Sequence, residues 1–140
     1  MTPVTSRANP LRVYLVEDSP IMARLLRELL QGDEFWVQVV GQATTASIAI
    51  AKIRALAPDV AIIDLALENG TGFDVIRALG EDDDSRPVVV VLSNFATQRY
   101  REEAERLGAD YFFDKSTEVL KLLETICAIS RGANRKASPE

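Results

Sequence analysis

Five short runs of β-branched and apolar residues alternate in strict order with five longer segments of helical period, and this alternation leaves the chain very few folds. The runs are LRVYLV (11–16), WVQVVGQA (36–43), VAIID (60–64), VVVVL (88–92) and YFF (111–113). Parallel strands need a crossover of a dozen or more residues, usually a helix, so this spacing predicts an α/β domain on a parallel sheet. The unbroken apolar runs at 60–63 and 88–92 fit strands covered on both faces.

The helices carry their own start and stop signals. Ser19 stands as N-cap with Pro20 at the first helical position, and Met22, Leu25, Leu26, Leu29 and Leu30 are expected to share the buried face, with Gly32 ending the helix. The second helix, 45–57, is expected to pack through Ile48, Ile53 and Leu56 and to stop at Pro58. The third, 72–79, is expected to end on Gly80 as a left-handed cap. The fourth, 97–107, has only Tyr100, Ala104 and Leu107 on its stripe, which predicts an exposed helix, with Gly108 just beyond. The fifth, 117–130, is apolar at Val119, Leu122, Leu123 and Ile126, flanked by Leu120 and Ile129. Residues 1–10 and 132–140, rich in turn formers, read as mobile tails around one domain at 11–131.

Composition narrows the partners and the chemistry. The 16 basic residues are interspersed with 21 acids for a net charge of −5, which argues against direct nucleic-acid binding. The longest apolar runs stop short of the roughly 20 residues of a membrane span, and no charged-then-apolar leader opens the chain, so the reading is cytoplasmic with no membrane contact. The single cysteine, Cys127, lies in an apolar helical pattern and reads as a buried structural thiol. The chain has no histidine, which removes Ser-His-Asp and Cys-His catalysis, a histidine base and most zinc sites. Chemistry must run on carboxylates, hydroxyls and lysine.

In an open α/β sheet the functional crevice lies beyond the carboxyl ends of the strands. The first run ends in Glu17-Asp18, the third in Asp64, the fourth in Ser93-Asn94 and the fifth in Asp114-Lys115, while the second ends in the uncharged GQAT. A lone acid after a strand is ordinarily a helix cap, but caps do not call for three carboxylates, a lysine and a hydroxyl at one rim. Glu17, Asp18 and Asp64 brought together repel one another unless a cation intervenes. Oxygen donors with no sulfur or imidazole select a hard ion, Mg²⁺ (or Mn²⁺), which keeps room for water and phosphate. Lys115 can pair with Asp64 or with a phosphoryl oxygen, and Ser93 offers a hydroxyl to the same oxygens. Asp64, behind the apolar VAII, is the best candidate for a nucleophile that would form an aspartyl-phosphate.

These residues resemble a known family over about 11–131: the response-regulator receiver domains of two-component signalling. The resemblance rests on VED after the first run, IIDLAL closing the third, VLSN after the fourth, GADYFFDKS around the fifth, and Gly72 eight residues after Asp64. It implies the flavodoxin-like (βα)5 doubly wound fold, with sheet order 2-1-3-4-5 as in the chemotaxis regulator of that fold and helices on both faces. By resemblance Glu17 and Asp18 are the metal-binding acids, Asp64 is the phosphoacceptor that also touches the metal, and the backbone carbonyl of Ala66 is a further metal ligand. Ser93 matches the switch hydroxyl and Lys115 the phosphate-binding lysine. Phe112, three residues before Lys115, matches the switch aromatic, with Tyr111 a weaker candidate. Ala66 and Phe95 match the positions flanking phosphate access, where neither side chain can orient a water.

Two positions depart from the family pattern. Glu68 replaces a proline, which is expected to loosen the loop after Asp64, and Ser116 replaces the proline after Lys115, which makes a cis peptide there unexpected. The function implied is that of a stand-alone phosphoacceptor that catalyses only its own phosphorylation and dephosphorylation. Its donor would be a histidine kinase, a histidine phosphotransfer protein or a small phosphodonor. The downstream protein target is unspecified, and a phosphorylation-dependent homodimer is within the family's range. The alternative is a degenerate receiver acting by protein contact alone. A haloacid-dehalogenase-like phosphatase would need an aspartate where Ala66 stands, and a flavodoxin would not place Glu17 and Asp18 against its phosphate.

Overall fold

Each apolar run becomes a strand in the computed structural model, which describes residues 9–32, 36–82 and 86–132. The order is β1 (Leu11–Val16), α1 (Pro20–Leu30), β2 (Val37–Ala43), α2 (Ala46–Leu56), β3 (Val60–Ile63), α3 (Gly72–Gly80), β4 (Val88–Ser93), α4 (Gln98–Leu107), β5 (Tyr111–Asp114) and α5 (Val119–Ser130). The strands pair in parallel in the order β2-β1-β3-β4-β5, with Val16 beside Ile63, Ile63 beside Val91 and Ser93 beside Asp114. This is the doubly wound order that the family resemblance implies. The tails expected at 1–10 and 132–140 lie almost wholly outside the described residues.

Alternation along the strands sends successive side chains to opposite faces and builds two cores. Leu11, Val13, Leu15, Val60, Ile62, Val90 and Leu92 meet α1 and α5 through Leu26, Leu30, Leu122 and Ile126. Tyr14, Val16, Ala61, Ile63, Val89 and Val91 meet α2, α3 and α4 through Ala49, Ile53, Val75, Ile76, Leu79 and Ala104. β1, β3 and β4 are thus covered on both sides, as the continuous apolar runs of β3 and β4 require.

Several helix faces differ from expectation. α1 buries Ala23, Leu26 and Leu30, while Leu25 and Leu29 are 42% and 36% exposed at the margin of the stripe. α2 packs through Ala46, Ala49 and Ile53, and Ile48 turns outward at 51% exposure, because the small alanines and not the isoleucine occupy the side facing the sheet. Gly80 is the last residue of α3 and not a left-handed cap; the cap is Glu81, in right-handed geometry, with its N–H bonded to the carbonyls of Ala78 and Leu79. Ala57, with φ 50°, supplies the left-handed end of α2 ahead of Pro58. Gly108, with φ 119°, closes α4, where only a glycine is unstrained. α4 buries Ala104 alone, which fits its narrow stripe. Cys127 is half-buried, so the fully buried thiol expected there is corrected: it lies one position beyond the buried Ile126, off the stripe.

Candidate functional site

The residues at the tips of β1, β3 and β5 are held by the sheet itself, because the hydrogen-bonded ladder runs one residue past each of these strands. The N–H of Glu17 donates to the Ala43 carbonyl (3.0 Å), that of Asp64 to Val16 (2.8 Å) and that of Lys115 to Ser93 (2.9 Å). Three candidate residues are therefore placed by backbone bonds before any side chain acts. Helix α1 adds a fourth constraint: the Ser19 hydroxyl accepts the Met22 N–H at 3.2 Å, and the Ser19 N–H donates to the Glu17 carboxylate at 3.1 Å.

The side chains meet as the charge pattern requires. The Lys115 ammonium lies 2.9 Å from Asp64 and 3.1 Å from Glu17. Glu17 and Asp64 are 3% and 4% exposed, Ser93 is fully buried and Asp18 is exposed. Two buried acids thus share one cation. Burial raises the Glu17 pKa, the charge of Asp64 raises it further, and Lys115 opposes both. Burial works against the Lys115 ammonium, but its bonds to Asp64 and Glu17 outweigh that and hold its pKa above the ordinary value.

One oxygen from each of Glu17, Asp18 and Asp64 lies within 4.8 Å of the others. An octahedral Mg²⁺ with bonds of about 2.1 Å spans opposite ligands about 4.2 Å apart, so the three donors fit such an ion after a small contraction. Their all-oxygen chemistry fits a hard cation. Ala66 follows on the exposed side, its N–H donating to Asp64 Oδ1 at 3.3 Å and its backbone bridging to Thr71.

The loop after Asp64 is tied at both ends. Gly72 brings α3 against the β3 tip, its N–H bonded to the Leu65 carbonyl at 2.9 Å. A Cβ at Gly72 would stand 2.3 Å from the Asp64 carbonyl oxygen and 2.8 Å from Leu65 Cα. Thr71 and Asp74 form a reciprocal capping box at the start of α3. The loosening expected from Glu68 is not found: its N–H donates to the Thr44 carbonyl at 3.1 Å, and its carboxylate accepts the Thr44 hydroxyl at 2.8 Å. Proline could not make the first of these bonds.

On the far side, the Ser93 hydroxyl accepts the Phe95 N–H at 3.0 Å. Phe95 is 49% exposed and meets Tyr100 edge to face at 6.1 Å, and Tyr100 meets Phe73 at 5.7 Å. Phe112 is half-buried on the α2–α4 side of the sheet, whereas Tyr111 and Phe113 stack on each other at 6.2 Å on the opposite side. That pleat removes Tyr111 from the α4 side where Phe112 lies. Asp114 turns away from the acidic cluster: its carboxylate accepts the N–H and hydroxyl of Ser116 at 2.9 and 2.7 Å, which holds its pKa below the ordinary value. The Lys115–Ser116 peptide is trans, as expected.

The family model for the response regulator receiver domain matches residues 13–127. The chain belongs to that family. The receiver is 35% identical over 143 residues to a protein-glutamate methylesterase/protein-glutamine glutaminase of Koribacter versatilis, a match covering 96% of this chain and 39% of that protein. It is 26% identical over 120 residues to the chemotaxis protein CheY of Thermotoga maritima, covering 86% of this chain and 98% of that one. The crystal structure of the response regulator domain of Thermotoga maritima CheB superposes with a TM-score of 0.75 at 24% identity, over 94% of this chain and all of that one, and shares its fold. The receiver spans 39% and 59% of the length of two of the relatives that match it, so in such proteins this fold is one part of a longer chain. No helix among the described residues is long and apolar enough to cross a membrane.

Two residues that the sequence pattern did not single out, Arg101 and Glu118, bridge the segments around Ser93, Phe112 and Lys115. No local signal marks them: Arg101 lies on the surface of α4 and Glu118 immediately ahead of α5, and charged residues are ordinary at both kinds of place.

Proposed function

We propose that this receiver accepts a phosphoryl group on Asp64 and converts it into a change of protein partner. The observation that carries this reading is the Lys115 ammonium, 2.9 Å from Asp64 and 3.1 Å from Glu17 in a buried pocket whose third acid, Asp18, is open to solvent. Such a cation can pass from the carboxylates to a phosphoryl oxygen without leaving the site.

The donor is a phosphohistidine on a histidine kinase or phosphotransfer protein, or a small phosphodonor, since the chain has no histidine of its own. A carboxylate oxygen of Asp64 attacks phosphorus in line; the new O–P bond forms as the P–N bond breaks, and the electron pair leaves on the imidazole, which takes up a proton. Lys115 and the Ser93 hydroxyl meet the charge on the equatorial oxygens. Glu17, Asp18, Asp64 and the Ala66 carbonyl would hold Mg²⁺ (or Mn²⁺), which when bound supplies further stabilisation of that charge. The product draws Ser93 toward the phosphoryl group and lets Phe112 move inward, which alters the face made by α4, β5 and α5. The receiver then acts as a signalling phosphoacceptor and turns over no other substrate.

Incubation with acetyl phosphate and Mg²⁺ tests this by intact mass. Wild type should gain one phosphoryl group, lost on EDTA addition before the donor, and Asp64→Ala should gain none. An unmodified wild type would leave a phosphorylation-independent interaction module, and an adduct on the variant would move the acceptor elsewhere. Ala66 is exposed beside Asp64 and cannot orient a water. Ala66→Asn should speed decay of the isolated adduct about tenfold, a barrier change of about 1.4 kcal/mol; an unchanged or slower decay in a phosphate-release assay would remove Ala66 from that role.

A further inference from the structure

Arg101, on the first turn of α4, makes contact with three segments at once. Its Nε donates to the Ala96 carbonyl at 3.4 Å, its Nη1 to the Phe112 carbonyl at 3.3 Å and its Nη2 to the Glu118 carboxylate at 3.4 Å. The guanidinium also lies over the Phe112 ring, 4.8 Å from its centroid. Ala96 follows Phe95, whose N–H is bonded to the Ser93 hydroxyl. Glu118 in turn accepts the Asp114 N–H at 2.8 Å, so it pins the turn that carries Lys115. One half-buried side chain thus joins the loop after Ser93, the ring and backbone of Phe112 and the loop of Lys115.

We infer that Arg101 is a positioning residue that clamps Phe112 in this half-buried place beside α4 and sets how readily the receiver switches. The inference rests on the phosphoacceptor reading above. A planar cation over an aromatic face is attracted to it, and the guanidinium fork fixes the geometry through the carbonyl and carboxylate it also holds. When Ser93 moves toward a phosphoryl group, the Ala96 contact shifts with its loop; when Phe112 moves inward, its ring leaves the guanidinium. Both motions that the switch requires separate partners of Arg101, so its contacts favour the conformation described here over the switched one. A ligand of the switched conformation then binds with an affinity reduced by the fraction of molecules that are competent.

The test uses the full chain labelled with 4-fluorophenylalanine, with the Phe112 resonance assigned by Phe112→Leu, titrated with beryllofluoride in Mg²⁺ as the phosphoryl probe. Arg101→Gln should move the probe-free Phe112 resonance toward its beryllofluoride-bound position in wild type, and lower the half-saturating beryllofluoride concentration about fivefold. Arg101→Lys keeps a cation but not the fork and should fall between the two. Glu118→Gln, which removes the ion pair and leaves the ring contact, should shift both readouts the same way by less, and it serves if Arg101→Gln does not fold. Resonances and midpoints that coincide with wild type, or a weakened response, overturn the clamp while leaving the acceptor site intact. A wild type with no Mg²⁺-dependent saturation overturns the acceptor site and the clamp with it.

Discussion

Gly72→Ala is expected to destabilise the receiver by about 3 kcal/mol and to slow its phosphorylation even where it stays folded. The added methyl would lie 2.3 Å from the Asp64 carbonyl oxygen, 2.8 Å from Leu65 Cα and 3.0 Å from the Asp64 carbonyl carbon. All three obstacles are backbone, at the end of a strand paired on both sides, so no side-chain rotation relieves them. Either α3 withdraws, breaking the Gly72 to Leu65 bond and straining the Ala66–Thr71 bridge, or the β3 tip yields and takes Asp64 with it. Thermal unfolding by circular dichroism should show a fall in Tm of about 10 °C. Gly32→Ala is the comparison: its nearest atom is the Leu29 carbonyl oxygen at 3.7 Å, and the change should stay within about 0.5 kcal/mol. A Gly72→Ala protein as stable as wild type would mean that α3 docks more loosely than these distances state.

That glycine illustrates where the sequence was legible and where it was not. Its place eight residues after Asp64 marked the family, but the cause, a helix start pressed on the backbone of Asp64 and Leu65, lies in three dimensions. The strands were legible because apolar β-branched runs joined by helical crossovers mark a parallel sheet, whereas their order came from the family resemblance. The convergence of Glu17, Asp18, Asp64, Ser93 and Lys115 followed from the same constraint, since parallel strands bring all their carboxyl ends to one edge. The orientation of helices was less legible. In α2 periodicity favoured Ile48, yet Ala46 and Ala49 face the sheet, because apolar character does not distinguish a packed face from a margin. Gly80 failed as a cap signal because a glycine at a helix end is permitted, and not obliged, to adopt positive φ. Arg101 was invisible for a different reason: its partners Ala96, Phe112 and Glu118 come from segments that only the fold brings together.

The site also carries a cost that stability measurements can expose. Lys115→Met is expected to destabilise the receiver by about 3 kcal/mol at neutral pH without divalent cations, since it leaves Glu17 and Asp64 buried with no counter-charge from its ammonium. Glu17 sets the pH dependence. Burial and Asp64 already raise its pKa above the ordinary 4.5 despite Lys115, so between that value and its folded value the native protein holds more protons than the unfolded chain. Stability from this group is therefore full below 4.5 and falls as pH rises through the folded pKa. Removing Lys115 raises that pKa further and extends the falling limb upward, so the variant's deficit against wild type should shrink on acidification. Glu17→Gln removes this limb, and without divalent cations it should be more stable than wild type at neutral pH, with the two converging toward pH 4.5. Mg²⁺ should raise the Tm of Lys115→Met more than that of wild type, since the ion no longer competes with an ammonium, and should do little for Glu17→Gln. Urea unfolding at several pH values, with and without Mg²⁺, separates these terms. A Lys115→Met deficit that is flat with pH and indifferent to Mg²⁺ would show that Lys115 supports the fold by packing and not by balancing the acids that make the site.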